Sequence, residues 1–278
     1  MNVVMVTHGL KVAGSRALVT GASRGIGADL ARGLRRCGAT VALVARPSEE
    51  LFALAEELGA QAYPTDLTDH EAVRGLLDRV EADGAIDILV NNAGDEKIGR
   101  FDEMTSETLD FILDLNVRAV VELQRQAIPR MVARGRGHVV NVSSVGGLIC
   151  PPNLAVYAAT KAFITHLTAN LAAEFHDAPV GFTKVEIGEV ADTGLMEKGR
   201  TDAVFTALVQ RMYRLHMSRL ITPTEITSAT LAAIENGRGS VRLPRRIGIS
   251  SYLVDAPRAL TSLLARDLRR QQPAMAGR

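Results

Sequence analysis

Ala17-Leu18-Val19-Thr20-Gly21-Ala22-Ser23-Arg24-Gly25-Ile26-Gly27 is the stretch that decides the fold. Residues 17–20 form an apolar run of strand length. Residues 25–37 then carry helical periodicity, and Gly38 ends them. Between the two lies a turn spaced Gly21-x-x-x-Gly25-x-Gly27. Glycine allows a tight turn and a close approach of backbone to a ligand. A helix that starts on such a turn offers unbonded N–H groups and the positive end of its dipole, which suits a pyrophosphate.

The same alternation continues outward. Strands are predicted over 40–45, 61–63, 86–90, 138–142, 181–187 and 240–243. Helices are predicted over 49–58 with Gly59 as its stop, over 70–80 with Asp69 as cap, and over 107–134 with a kink or break near Pro129. Three more cover 154–175, 203–217 and 223–235. The strands are apolar throughout, as parallel strands buried on both faces are. Strands alternating with helices predict an α/β fold, a doubly wound parallel sheet of Rossmann type with about seven strands and helices on both faces.

Composition sets the outer limits. The chain has 278 residues, 47% of them hydrophobic and 23% charged, enough to bury a sizeable core as one large domain. A net charge of +1 argues against a general nucleic-acid binder. Cys37 and Cys150 stand far apart without metal-ligand spacing, so no metal site is expected and both are read as buried small side chains in a reducing compartment. No run of 18 apolar residues occurs, so no spanning helix is expected. Residues 1–14 contain His8 and Lys11 and lack the order of a signal peptide; they are read as an N-terminal extension of a cytoplasmic protein.

Within the helix predicted over 154–175, Tyr157 and Lys161 share a face one turn apart. A free phenol, with its pKa near ~10, is a poor acid-base group at neutral pH. A neighbouring ammonium favours phenolate, which makes the pair a proton donor and acceptor.

In order along the chain stand Gly21-x-x-x-Gly25-x-Gly27, Asp66, Asn91-Asn92-Ala93-Gly94, Asn116, Ser144 and Tyr157-x-x-x-Lys161. With Ser144 placed 13 and Asn116 placed 41 positions before Tyr157, the chain resembles a classical short-chain dehydrogenase/reductase over roughly residues 16–192. The resemblance implies that Tyr157 is the general acid in carbonyl reduction and the base in alcohol oxidation. It implies that Lys161 lowers the phenol's pKa and bonds the nicotinamide ribose, that Ser144 holds the substrate oxygen, and that Asn116 anchors a relay water. Ser143 competes with Ser144, and the spacing favours Ser144. Gly21, Ser23, Gly25, Ile26 and Gly27 would cradle the cofactor's phosphates, Asp66 and Leu67 would border its adenine, and Asn92 and Gly94 would line its ribose and nicotinamide.

The resemblance also bears on the choice of cofactor. Strand 40–45 ends Ala45-Arg46 without an acid, and Arg24 stands in the glycine turn. Two guanidiniums suit a 2′-phosphate, so NADP(H) is expected, with Glu49 and Glu50 able to offset Arg46. Residues 186–193 depart from the family: Ile187 stands where a proline is usual, and Thr193 lies five residues past Gly188. Thr193 is therefore a less certain nicotinamide contact than Val190.

The C-terminal third is the least constrained. Leu195, Met196, Val204, Leu208, Met212 and Leu215 either roof a substrate pocket as a lid over 195–220 or pack in the core. Residues 242–278 hold eight arginines against two acids, with a stripe of Leu260, Leu263, Leu264 and Leu268. The tail over 244–278 is expected to pack on its own domain or a second subunit, with weak contact to a membrane surface as the other reading. Expected partners are a small hydrophobic carbonyl or alcohol substrate and further copies of the chain, as homodimer or homotetramer. Two rival functions remain: an NADP(H)-binding regulatory protein without turnover, and a ketoreductase acting on a carrier-bound acyl chain.

Overall fold

The computed structural model describes residues 7–191, 203–214 and 218–244. Seven strands, β1 (Arg16–Thr20), β2 (Thr40–Ala45), β3 (Gln61–Pro64), β4 (Ile88–Asn91), β5 (Gly137–Ser144), β6 (Val180–Ile187) and β7 (Ser240–Leu243), form one sheet in the order β3-β2-β1-β4-β5-β6-β7. Every neighbouring pair is parallel. The chain reverses its winding between β1 and β4, so the crevice at their carboxyl ends is where such a sheet takes ligands.

Alternation along each strand divides the core into two layers. Val19, Leu43, Val90, Val142 and Ile187 face α1 (Gly25–Arg36), α2 (Glu49–Leu58) and α9 (Pro223–Glu235). Leu18, Val44, Leu89, Val139 and Phe182 face α3 (His70–Arg74), α4 (Leu76–Glu81), α6 (Ala119–Arg134) and α7 (Ala155–Glu174). These strands read as continuous apolar runs because both of their faces are buried.

Local chemistry sets the helix ends. The Asp69 carboxylate accepts from the Glu71 and Ala72 N–H groups, as its capping role predicts. Thr222 and Glu225 form a capping box on α9, with Pro223 in its first turn. Gly59 takes a left-handed conformation to close α2.

Two helices differ from expectation. The span 70–80 divides at Gly75 into α3 and α4. The span 107–134 becomes α5 (Ser106–Leu113), a π turn over Asp114–Arg118, and α6. Helix α6 runs through Pro129, and the irregular turn falls at Asn116 instead. Proline removes one hydrogen bond, whereas the wide turn seats a side chain held by three hydrogen bonds to Asp95 and Thr160.

Both cysteines are exposed, contrary to the sequence reading: Cys37 ends α1 and Cys150 lies in the loop before α7, where neither meets the core. The N-terminal segment, by contrast, joins the fold. The Thr7 N–H donates to Gly237 at 2.8 Å, the Leu10 N–H donates to Ile234 at 2.9 Å, and Val12 is fully buried. No helix among the described residues is long and apolar enough to cross a membrane. The helix predicted over 203–217 appears as α8 (Ala203–Arg214), while the stripe of leucines in the tail lies outside the described residues.

Candidate active site

The crevice begins at the glycine turn. Gly21 and Gly25 hold positive φ angles of 65° and 57°, a region that side chains with a Cβ rarely enter. A Cβ at Gly21 would stand 2.9 Å from Ala93 Cα, and one at Gly27 would collide with the Gly21 carbonyl. The first turn of α1 has no side-chain cap and no acid, so its N–H groups face the crevice electropositive. Ser23 is half-buried in this turn. Ile26 packs its side chain against the core and leaves its backbone to the turn.

Arg24 and Arg46 are both exposed, and among the described residues neither enters an ion pair. The Glu50 carboxylate is held below its usual range chiefly by hydrogen bonds to its own N–H and to Ser48, with a smaller pull from Arg24. Asp66 is exposed; its Oδ1 accepts from the Thr68 N–H at 2.9 Å and from the Thr68 hydroxyl at 2.8 Å. Leu67 turns its side chain into the core, so only its backbone could border a ligand.

Asn92 acts as a tie between strands. Its Nδ2 donates to the carbonyls of Thr20 at 3.0 Å and Gly21 at 3.3 Å, and its N–H donates to Thr20 Oγ1 at 3.0 Å. Gly94 follows where a Cβ would stand 3.1 Å from Asn116 Oδ1 and 3.2 Å from Lys161 Nζ. The backbone there can lie against the site only because residue 94 has no side chain.

Asn116 is buried, and both N–H groups of its amide are used. Oδ1 accepts from the Asp95 N–H at 3.0 Å, and Nδ2 donates to Asp95 O at 2.9 Å and to Thr160 Oγ1 at 3.2 Å. It therefore bolts the turn after β4 to α7.

The structure also separates the two serines. Ser143 is buried beneath the site, donating to Lys161 O at 2.9 Å and meeting Thr165 Oγ1 at 2.8 Å. Ser144, at the carboxyl end of β5, accepts from the Gly146 N–H at 3.0 Å and shares a hydrogen bond with the Tyr157 phenol.

Tyr157 and Lys161 lie in the first two turns of α7, both buried, with Lys161 Nζ 5.7 Å from the phenol ring centroid. Nζ donates to Val142 O at 3.1 Å, which leaves two of its three protons for other acceptors. Burial pulls the Lys161 pKa down to about 8, against the opposing charge of Glu96. Burial also pushes the Tyr157 phenol above its usual range, the Glu96 and Asp95 carboxylates push the same way, and the Ser144 hydrogen bond opposes them. This differs from the expected depression of the phenol by Lys161. Removing the ring from water outweighs any pull from an ammonium that bonds the Val142 carbonyl instead.

The loop after β6 is pinned through Ala191. The Gly188 N–H donates to Leu243 O at 2.8 Å, and the Ala191 N–H donates to Ile221 O at 2.9 Å. Val190 is buried and pairs with Ile221 as a bridge. Thr193 lies outside the described residues. The Tyr213 hydroxyl on α8 donates to Glu189, tying that helix to the loop.

Three residues of the site escaped the sequence reading: Thr160, Asp95 and Glu96. Glu96 is only 6% exposed, and its charge acts on both Tyr157 and Lys161. The signal was present as two acids directly after Gly94, in a segment otherwise read as cofactor wall.

Known proteins share the family and the fold of this chain. Residues 15–203 match the family described as short chain dehydrogenase. The oxidoreductase UcpA of Salmonella typhimurium is 34% identical over 242 residues, covering 81% of this chain and 90% of that protein. A short-chain dehydrogenase from Sphingobium yanoikuyae, solved in complex with NADPH, superposes with a TM-score of 0.76 at 29% identity, over 95% of this chain and all of that one. A 3-oxoacyl (acyl-carrier-protein) reductase from Agrobacterium tumefaciens, solved with NADP bound, gives 0.73 at 30% identity, over 84% of this chain and 93% of that one. With its sheet order, glycine turn and Ser-Tyr-Lys constellation, the chain belongs to the short-chain dehydrogenase/reductase family of oxidoreductases.

Proposed function

We propose that this protein is an NADP(H)-dependent oxidoreductase that interconverts a ketone or aldehyde and the corresponding alcohol. The observation that carries the reading is the convergence of Ser144, Tyr157 and Lys161 at the carboxyl end of β5, beside Gly94. The residues of the crevice fit the cofactor: uncapped N–H groups and a side-chain-free turn suit the pyrophosphate, and Arg24 and Arg46 suit the 2′-phosphate. Bound in that crevice, NADPH would supply a hydride to the carbonyl carbon.

Ser144 and Tyr157 bind the carbonyl oxygen together. Tyr157 gives its proton to that oxygen as the carbon accepts the hydride, and the product is the alcohol. Lys161, still cationic near neutrality, stabilises the phenolate left behind. Because burial raises the phenol, Tyr157 is held protonated at neutral pH, the state that reduction needs. A relay water held by Asn116 would meet its main-chain carbonyl, since the side chain is buried and both N–H groups of its amide are engaged.

The proposed hydrophobic substrate rests on the apolar stripe of the lid segment, of which Met212 is a half-buried member. The carrier-bound acyl reading draws on the likeness to the 3-oxoacyl reductase. A steady-state assay with NADPH over a carbonyl panel tests the main reading. Turnover that depends on Tyr157 supports it, and NADPH binding without turnover on any member overturns it in favour of a regulatory binder.

A further inference from the structure

We infer that Ser143 is a positioning residue for the proposed reaction: with Thr165 it ties the main-chain carbonyl of Lys161 to β5, and so fixes where that lysine's ammonium stands. The inference rests on the oxidoreductase reading above and adds a residue to it.

Both hydroxyls are only 1% exposed, so they have protein rather than water as partners. Ser143 Oγ donates to Lys161 O at 2.9 Å and stands 2.8 Å from Thr165 Oγ1. A hydroxyl carries one proton. With that proton on the Lys161 carbonyl, Thr165 is the donor to Ser143. The bonds therefore run one way, from Thr165 to Ser143 to Lys161 O. The preceding residue of β5 holds the other end of the same lysine, since Nζ donates to Val142 O at 3.1 Å. Two consecutive strand residues thus grip Lys161 by its carbonyl and by its ammonium. The turn after β5 closes on the same peptide: a Cβ at Gly147 would stand 2.6 Å from Ala162 N and 2.7 Å from Lys161 C. Further along α7, Asn141 Nδ2 donates to Thr168 Oγ1 at 2.9 Å. Residues 161, 165 and 168 share one face of the helix, and that face is bonded in register to residues 141–143 of the strand.

Apolar packing has no direction and leaves a helix free to slide on a sheet. Buried hydrogen bonds whose members are all satisfied hold one register. Here they stand directly under the catalytic lysine, whose Nζ lies 5.7 Å from the centroid of the Tyr157 ring. The help an ammonium gives a phenolate depends on that separation. Losing Ser143 breaks the tie without stranding its partners. The Lys161 carbonyl keeps its helical N–H donor, and Thr165 can turn its hydroxyl back to that carbonyl, four residues earlier. The helix then survives while the lysine is released from the strand.

The test compares the full-length wild type with Ser143→Ala, Ser143→Cys, Thr165→Val and Thr165→Ser, using NADPH and a ketone that the wild type reduces. Ser143→Ala is expected to lower kcat by ~10–10²-fold, the scale of an ångström of misplacement, with KM for the ketone little changed. The decline of reduction above about pH 8 is set by Lys161, and in this variant it is expected to move to higher pH, because a released lysine regains water. Ser143→Cys keeps nearly the size of the side chain but donates weakly, and it should show the same fall and the same shift. Thr165→Val should fall between Ser143→Ala and the wild type, and Thr165→Ser, which restores the hydroxyl, should return to the wild-type rate. A purely structural bond would lower the thermal melt alone. Wild-type kcat and an unmoved alkaline limb in whichever of Ser143→Ala, Ser143→Cys and Thr165→Val fold overturn the role given to Ser143. No turnover of any ketone by the wild type overturns the oxidoreductase reading itself.

Discussion

Tyr157→Phe removes one oxygen and leaves a ring that still packs. Carbonyl reduction is expected to fall ~10²–10⁴-fold, the contribution of a positioned acid-base group, with NADPH affinity kept. A variant that retained a tenth of the wild-type rate would remove Tyr157 from the mechanism. The two proton-transfer directions should also differ with pH. Alcohol oxidation needs phenolate, and burial raises the phenol, so kcat/KM for oxidation is expected to climb with pH through the neutral range. Reduction needs the phenol and cationic Lys161, so it should be flat below about pH 8 and decline above it. Parallel pH profiles for the two directions would contradict this assignment. Away from the site, buried His138 is held down to about 4 from 6.5 by desolvation. Between those values the unfolded chain binds the extra proton, so stability is lost as pH falls through that window, by about 3 kcal/mol in all. Denaturant melts of wild type and His138→Gln across the window measure it, and the variant should lose the acid dependence.

At the scale of elements, the turn between β1 and α1 is the most constrained piece. Gly27→Ala puts a methyl into the Gly21 carbonyl and beside Asn92 Nδ2, neither of which can move without breaking the tie between β1 and β4. The variant is expected to lose about 1–3 kcal/mol of stability and most of its NADPH affinity, read by a thermal melt and a fluorescence titration. Unchanged values in both would mean that the turn relaxes freely. The π turn at Asn116 is a second such piece. Its register points an amide at the backbone of Asp95, and that register is what holds the segment 94–96 against Lys161.

For the whole molecule, Phe101 and Phe163, exposed at 67% and 44%, lie with Leu113 around one apolar depression on the outer side of α5 and α7. An exposed apolar patch of this kind suits a contact surface, in line with the expected homodimer or homotetramer. Phe163→Asp is expected to lower the mass in solution, measured by light scattering, without loss of NADPH affinity. A wild type already monomeric would end the proposal. Truncation after Leu243 is expected to keep NADPH affinity, because Gly21 through Lys161 precede the cut, and to change either solution mass or substrate turnover. An insoluble truncated chain would show instead that the tail completes the core.

What the sequence determined by itself is what repeats or is local. Apolar runs of strand length, the glycines at 21, 25 and 27, and the helix ends at Asp69 and Gly59 were legible because each acts within a few residues of itself. Tyr157 and Lys161 were legible for the same reason, one helical turn joining them. Tertiary structure decided what depends on distant neighbours. It turned Ser144 to the phenol and Ser143 to Thr165, moved the irregular turn from Pro129 to Asn116, and exposed both cysteines. It also buried Glu96 within electrostatic reach of Tyr157 and Lys161. The energy of a charge depends on the medium and charges around it, and in this site these come from β4, β5 and α7, segments far apart in the chain.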